Sequence, residues 1–234
     1  VSDMWLHEGT GAYMQKEYAR EVIGDAAYYA SMYDTYKGIN ACNAIAPRAE
    51  FSADELYFDD PEGKGPAGDI YSKGSWLLHS LRYLMGDEMF WRSIRVLVYD
   101  TAEPEKLRPP IETRLRSTDD YLRIASDIYG QDLSWFFEVY ARRGPLPILI
   151  TTHNDDGVVL EWKNIDDLDF PMPIPVRIDG EIQRVEFADN KAYLAGKVSS
   201  DIQVDPFLMV LRKLPIVPTC EERRAEEAAA AAGS

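Results

Sequence analysis

Trp5-Leu6-His7-Glu8-Gly9-Thr10-Gly11-Ala12-Tyr13-Met14-Gln15-Lys16-Glu17-Tyr18 is the stretch on which the reading of this chain turns. It has the pattern of an amphipathic helix that carries one carboxylate, Glu8, at its start, between bulky apolar residues and a pair of glycines. Glycine inside a helix costs about 1 kcal/mol relative to alanine. Gly9 and Gly11 make sense if something must approach the helix closely on the Glu8 side. A carboxylate at a helix N-terminus is also a capping charge favoured by the helix dipole. Both readings of Glu8 stand on the residues alone.

Two later stretches bear on the choice. Asp69-Ile70-Tyr71-Ser72-Lys73-Gly74-Ser75-Trp76-Leu77-Leu78-His79 opens a second helix, and Asp132-Leu133-Ser134-Trp135-Phe136-Phe137 a third. Taken in order, the three stretches resemble signatures of the aminopeptidase N family of zinc metallopeptidases. The first is similar to that family's Trp-Leu-Asn-Glu-Gly-Phe-Ala-x-Tyr, the second to its Tyr-x-Lys-Gly helix start, the third to its Asp-Leu-x-Trp-Phe-Phe segment.

The resemblance implies roles for particular residues. Glu8 matches the third zinc ligand and Tyr71 the tyrosine whose hydroxyl donates to the oxyanion of the tetrahedral intermediate. One zinc ion, held by two histidines and this glutamate, would activate a water for hydrolysis of the N-terminal residue from a peptide substrate. The two histidines belong to a His-Glu-x-x-His helix, which by the family spacing lies upstream of Val1, as does the strand that grips the substrate's free amine. His7-Glu8 does not begin that motif, because position 11 is Gly. His7 stands where the family usually has Asn, which touches the surroundings of the ligand more than the metal. The chain is therefore expected to be the C-terminal part of a larger enzyme, partnered by the missing N-terminal segment and inactive alone. Apolar surface is expected where that segment would pack. The alternative is a non-catalytic peptide- or protein-binding relative that kept the metallopeptidase fold. Lys73 and Gly74 are read as structural, a surface ammonium and a close helix contact.

The 234 residues suffice for a real core, and 46% hydrophobic with 12% aromatic residues indicate a globular chain. A net charge of -15 argues against nucleic acid, whose phosphates select Lys and Arg. No run of eighteen apolar residues exists, so no membrane-spanning helix is expected. Localisation stays open between exported and cytoplasmic. Cys42 and Cys220, far apart in dissimilar contexts, are taken as free thiols.

Along the chain, Gly24-Asp25 ends the first helix and begins a second, about Ala26 to Ile39, whose Tyr28, Tyr29, Tyr33 and Tyr36 pack with hydroxyls toward water. Asn40 to Phe58 reads as irregular. The glycine- and proline-rich loop Asp59 to Gly68 has the composition of a functional loop and equally of an ordinary surface loop, and its position just before Tyr71 favours the functional reading. Helical spacing runs from Ile70 to Met85, from Glu88 to about Tyr99, from Ser117 to Gly130 and from Asp132 to Ala141. His79 is a hydrogen-bonded packing residue beside the apolar stripe, and His153 an exposed one at a strand end. After Arg142-Arg143-Gly144-Pro145 the pattern becomes strand-like: Pro147–Thr152, Val158–Lys163, Pro173–Ile178, Ile182–Phe187, Ala192–Val198 and Phe207–Leu214. Asp155-Asp156-Gly157 and Asp179-Gly180 supply hairpin turns.

The expected fold class is thus α+β, segregated. Residues 1–145 form a helical part, by the resemblance the C-terminal subdomain of a thermolysin-like catalytic domain. Residues 146–214 form a small antiparallel β-sandwich, and 215–234 a tail that is either disordered or helical.

Overall fold

A computed structural model of the chain describes residues 2–52, 54–55, 65–111, 114–166, 168–196 and 202–232. Helices α1 (Trp5–Ile23) and α2 (Asp25–Lys37) meet at Gly24, as the Gly-Asp pair predicts. Then follow α3 (Ser72–Met85), α4 (Asp87–Tyr99), α5 (Thr118–Tyr129) and α6 (Ser134–Tyr140). A 3-10 turn, Ala67–Ile70, leads directly into Tyr71 and α3. Asp59 to Lys64, the larger part of the loop before it, lie outside the described residues.

α3 is the axis of the helical part. From Lys73 to Leu81 every side chain is buried, and Leu84 and Met85 continue the burial to its end. α1 lays Trp5, Gly9, Tyr13 and Lys16 toward it, residues three or four apart that share one helical face. α2 contributes Tyr28, Met32 and Tyr36 at four-residue spacing. α5 begins with a capping box, in which the Ser117 side chain accepts from Asp120 N while the Asp120 carboxylate accepts from Ser117 N.

The strands form two three-stranded antiparallel sheets. One has the order β1 (Ile148–Asn154), β2 (Gly157–Lys163), β5 (Lys191–Ala195); the other β4 (Glu181–Val185), β3 (Ile174–Ile178), β6 (Ile202–Val204). The β3–β4 turn is Asp179-Gly180, both at positive φ (52° and 88°), as a two-residue hairpin of primed type requires. Helices and sheets share one apolar core. Its seam is Phe170, whose ring lies edge-on to Trp135 of α6 at 5.3 Å and to Trp162 of β2 at 5.3 Å.

Several expectations are corrected here. Phe207–Leu214 is no strand: the third partner in its sheet is β6, Ile202–Val204. The 207–214 segment is a strap over the helices, and most of its backbone bonds go to side chains, while Leu208 N and Lys213 N donate to the carbonyls of Asp205 and Pro147. Leu211 N donates to Ser80 Oγ, Tyr140 Oη donates to Leu211 O, Tyr36 Oη donates to Arg212 O, and the buried Asp205 carboxylate accepts from Met209 N and Val210 N. Polar satisfaction by these groups removes the need for a ladder. The same bonds correct the tyrosines of α2. Tyr28 and Tyr36 are buried, Tyr28 Oη lying 2.6 Å from His79 Nδ1. The cysteines are not free: Cys42 and Cys220 are joined in a disulfide, with Cα atoms 5.0 Å apart. It ties the start of α7 (Cys220–Ala232) to the loop after α2. Lys197 and Val198, assigned to the fifth strand from sequence, lie outside the described residues.

Candidate functional site

The site is built where α1 crosses the entry to α3. A Cβ added to Gly9 would lie 2.9 Å from Gly74 Cα and 3.0 Å from Ile70 O, and one added to Gly74 would lie 3.0 Å from Gly9 Cα. Only glycine lets the two backbones come this close. Gly11, one half-turn on, faces open space and has no such reason. Glu8 adjoins Gly9 and Tyr71 adjoins Ile70, so the crossing sets the turns bearing these two residues side by side.

Glu8 sits in the first turn of α1 with its side chain 20% exposed, and His7 Nδ1 lies 3.4 Å from its Oε1. The start of α1 is anchored rather than frayed. Trp5 Nε1 donates to Thr118 Oγ1 (2.8 Å), and Thr118 donates from its hydroxyl and its N–H to the Asp3 carboxylate. Three bonds across more than a hundred residues thus fix the turn that carries Glu8.

Tyr71 is 39% exposed and is the residue before the first turn of α3. Its backbone is held from both sides. Two residues before it, the buried Asp69 carboxylate accepts from Asn40 N (2.8 Å) and Ala41 N (2.7 Å). Two residues after it, Lys73 sends its ammonium to the carbonyls of Arg143 and Gly144 (2.5 and 2.8 Å). Lys73 is 0% exposed, which corrects its reading as a surface ammonium. Burial pulls its pKa down to about 8, and attraction to Asp69 opposes the fall. Burial likewise pushes the Asp69 carboxyl above its ordinary range, against its two N–H bonds and the Lys73 charge. The four-residue spacing of Asp69 and Lys73 was the available signal, since such pairs neighbour each other on a helix. Their burial depended on the 143–144 loop, which no local pattern could place. Gly144 itself lies against Cys42, whose carbonyl oxygen would be 2.3 Å from an added Cβ.

His79 is the buried, bonded packing residue that its place beside the stripe predicts, with Nε2 3.0 Å from Leu208 O and Tyr28 Oη at Nδ1. The Leu208 carbonyl can only accept, so Nε2 carries the proton and Tyr28 donates to Nδ1. His153 is exposed on β1. Among the described residues no three His, Cys, Asp or Glu side chains gather into a group able to hold a metal ion. No described helix is long and apolar enough to cross a membrane.

No protein-family model matches the chain, and no curated protein matches it. Among solved structures it is similar to Legionella pneumophila aminopeptidase A in complex with aspartic acid, with a TM-score of 0.60 and 16% sequence identity. The match covers 84% of this chain and 22% of that one, so the chain spans about a fifth of its neighbour's length. At this identity the likeness speaks for the fold alone: the chain has an aminopeptidase-like fold.

Proposed function

We propose that this chain is the C-terminal part of the thermolysin-like catalytic region of a zinc aminopeptidase of the aminopeptidase N family, together with the sheets that follow it. The observation that carries the reading is the crossing at Gly9 and Gly74. It brings the turn of Glu8 against the turn of Tyr71, two residues singled out independently by the signatures Trp-Leu-His-Glu-Gly and Tyr-Ser-Lys-Gly. The substrate is a peptide with a free N-terminus.

Glu8 fits one place in a zinc site: a carboxylate on an anchored helical turn, partly exposed, beside the proposed reaction centre. It cannot fill the site alone, and two histidines from outside this chain are proposed to complete it. The bound zinc would lower the pKa of its water and polarise the scissile carbonyl. Tyr71 is proposed to donate its hydroxyl proton in a hydrogen bond to the oxyanion that develops on that carbonyl, an interaction typically worth about 3 kcal/mol in the transition state. Asp69 and Lys73 act on Tyr71 as positioning residues, through its backbone. The side of α1 away from the core, with Met14, Tyr18 and Val22 exposed at four-residue intervals, is where the remainder of the enzyme would pack.

The test uses the longer polypeptide that contains this chain. Hydrolysis of aminoacyl amides is expected. Tyr71→Phe should keep the zinc, lower kcat at least tenfold, about 1.4 kcal/mol, and leave KM nearly unchanged. Glu8→Gln should lose both zinc and activity. Absence of hydrolysis in the longer polypeptide favours the non-catalytic relative. The 234-residue chain alone is expected not to bind zinc tightly, and stoichiometric submicromolar binding in a calorimetric titration overturns the choice of ligands.

A further inference from the structure

Helix α7 is held to the rest of the chain at one end. Among its described side chains none is buried: Cys220 and Arg223 are half-buried and the others exposed. An alanine-rich helix of 13 residues is marginal by itself in water. Two attachments in its first turn reach the body of the chain, the Cys42–Cys220 disulfide and the bond from the Arg223 guanidinium to Ile39 O (3.1 Å). The second is the one hydrogen bond among the described residues from an α7 side chain to that body.

Both attachments land on the stretch from Ile39 to Cys42, which grips Asp69. Asn40 N and Ala41 N donate to the Asp69 carboxylate, and Cys42 is the next residue. Ala41 stands at φ 54°, a left-handed conformation that a residue with a Cβ keeps only where its neighbours impose it. Burial pushes the Asp69 carboxyl above its ordinary range; the Asn40 bond, the Lys73 charge, the Ala41 bond and the Arg223 charge oppose the rise. The first turn of α7 therefore acts on Asp69 through the backbone and through charge.

We propose that the Cys42–Cys220 disulfide is a redox latch: a protein dithiol reduces it, α7 lets go, and the Asn40–Ala41 grip on Asp69 slackens. Both cysteines are half-buried, so the bridge is within reach of a reductant. One thiolate of the dithiol attacks a sulfur of the bridge, forming a mixed disulfide and releasing the other cysteine as a thiolate. The second thiol of the dithiol then displaces the first. The reductant leaves as its own disulfide, and Cys42 and Cys220 have gained two electrons and two protons. What is left of the tether is the Arg223 bond, while the apolar core, which among the described residues includes none from α7, persists. Asp69 and Lys73 fix the backbone on either side of Tyr71, so the latch leads to the candidate site. That last link rests on the role proposed for Tyr71; the release of α7 and the slackening at Asp69 do not.

Amide hydrogen exchange of the 234-residue chain, oxidised and reduced, tests the latch. After reduction by a thioredoxin-type dithiol without denaturant, the amides of α7, Asn40 and Ala41 should exchange at least tenfold faster, and those of Leu77 and Leu81 in α3 at unchanged rates. Cys220→Ser should give the reduced pattern without any reductant, and Cys42→Ser serves if that variant fails to fold. A bridge that resists the dithiol in the folded chain overturns the proposal, as do unchanged rates at Asn40 and Ala41. Equal acceleration at Leu77 and Leu81 also overturns it, since the disulfide is then a staple of the whole fold. In the longer polypeptide, Cys220→Ser should lower kcat at least threefold with the zinc retained. Unchanged kcat there removes the link to Tyr71, whereas absence of hydrolysis in the oxidised wild type speaks against the enzyme reading and leaves the exchange result standing.

Discussion

The helices and the sheets of this chain keep their polar groups in opposite places. Among the described residues, ten polar or charged side chains are buried; eight precede residue 141, and of the other two Arg212 lies on the strap over the helices and Asp205 just before it. The sheets hold their charges outside, as in Glu161 with Lys163 and Lys191, or Arg184 with Glu186. Exposed pairs of this kind contribute about 0–1 kcal/mol, whereas a buried charge stripped of its partner costs several times that. The helical part, which carries the proposed site, should thus be the sensitive half, and the sheets the tolerant one.

The strongest challenge to that contrast is Lys73→Met. It leaves two carbonyls, that of Gly144 buried and that of Arg143 part-buried, without their donor and removes the charge that attracts Asp69. A loss of about 3–5 kcal/mol in urea unfolding is expected, while Lys163→Met in β2 should cost under about 1 kcal/mol. Similar losses for the two would erase the distinction.

Acid should reveal it next. Burial holds the pKa of His79 down at about 4 from the ordinary 6.5; the hydrogen bond to Leu208 O opposes this and the Arg82 and Arg20 charges add to it. Between those values the unfolded chain takes up a proton that folded His79 refuses. Its neutral form therefore supports the fold fully above pH 6.5, and stability falls as pH drops from 6.5 to 4, by up to about 3 kcal/mol. His79→Asn should flatten this slope in thermal melts across that range. His153→Asn, on the sheet surface, should leave it in place.

A smaller effect separates two glycines of one helix. Gly9→Ala forces the α1–α3 crossing apart and should cost about 1–3 kcal/mol. Gly11→Ala meets nothing and should stabilise by about 0.5–1 kcal/mol. Denaturant midpoints of the two variants that move in the same direction would remove the close approach as an explanation. Smallest of all, Thr152→Ala on the exposed part of β1 should change stability by less than about 0.5 kcal/mol in the same assay.

The elements that proved legible in the sequence are those with a local cause. Gly24-Asp25 divides α1 from α2, Ser117 with Asp120 starts α5, and Asp179-Gly180 turns β3 into β4. The Asp69–His79 stretch marks the start of α3, yet Lys73 reads from it as a surface ammonium. Phe207–Leu214 misled for a related reason. Its apolar residues look like a strand, and whether a backbone pairs with a strand or with the side chains of Ser80, Tyr36 and Tyr140 depends on what folds over it. The cysteines show the same limit, since 178 residues separate two thiols that the fold brings together.

By itself, then, the sequence determined where the helices of the first 141 residues and the β3–β4 turn fall, and that glycines open the helix of Glu8. Periodicity, caps and turn chemistry act within a few residues of the chain, so they are readable one stretch at a time. Only the tertiary structure decided that Gly9 meets Gly74, that Lys73 is enclosed by the 143–144 loop, that Phe170 joins helices to sheets, and that a disulfide ties α7 to the loop after α2. These depend on burial and on partners distant in the chain, and the energy of a buried charge or a close backbone contact is set by whatever surrounds it after folding.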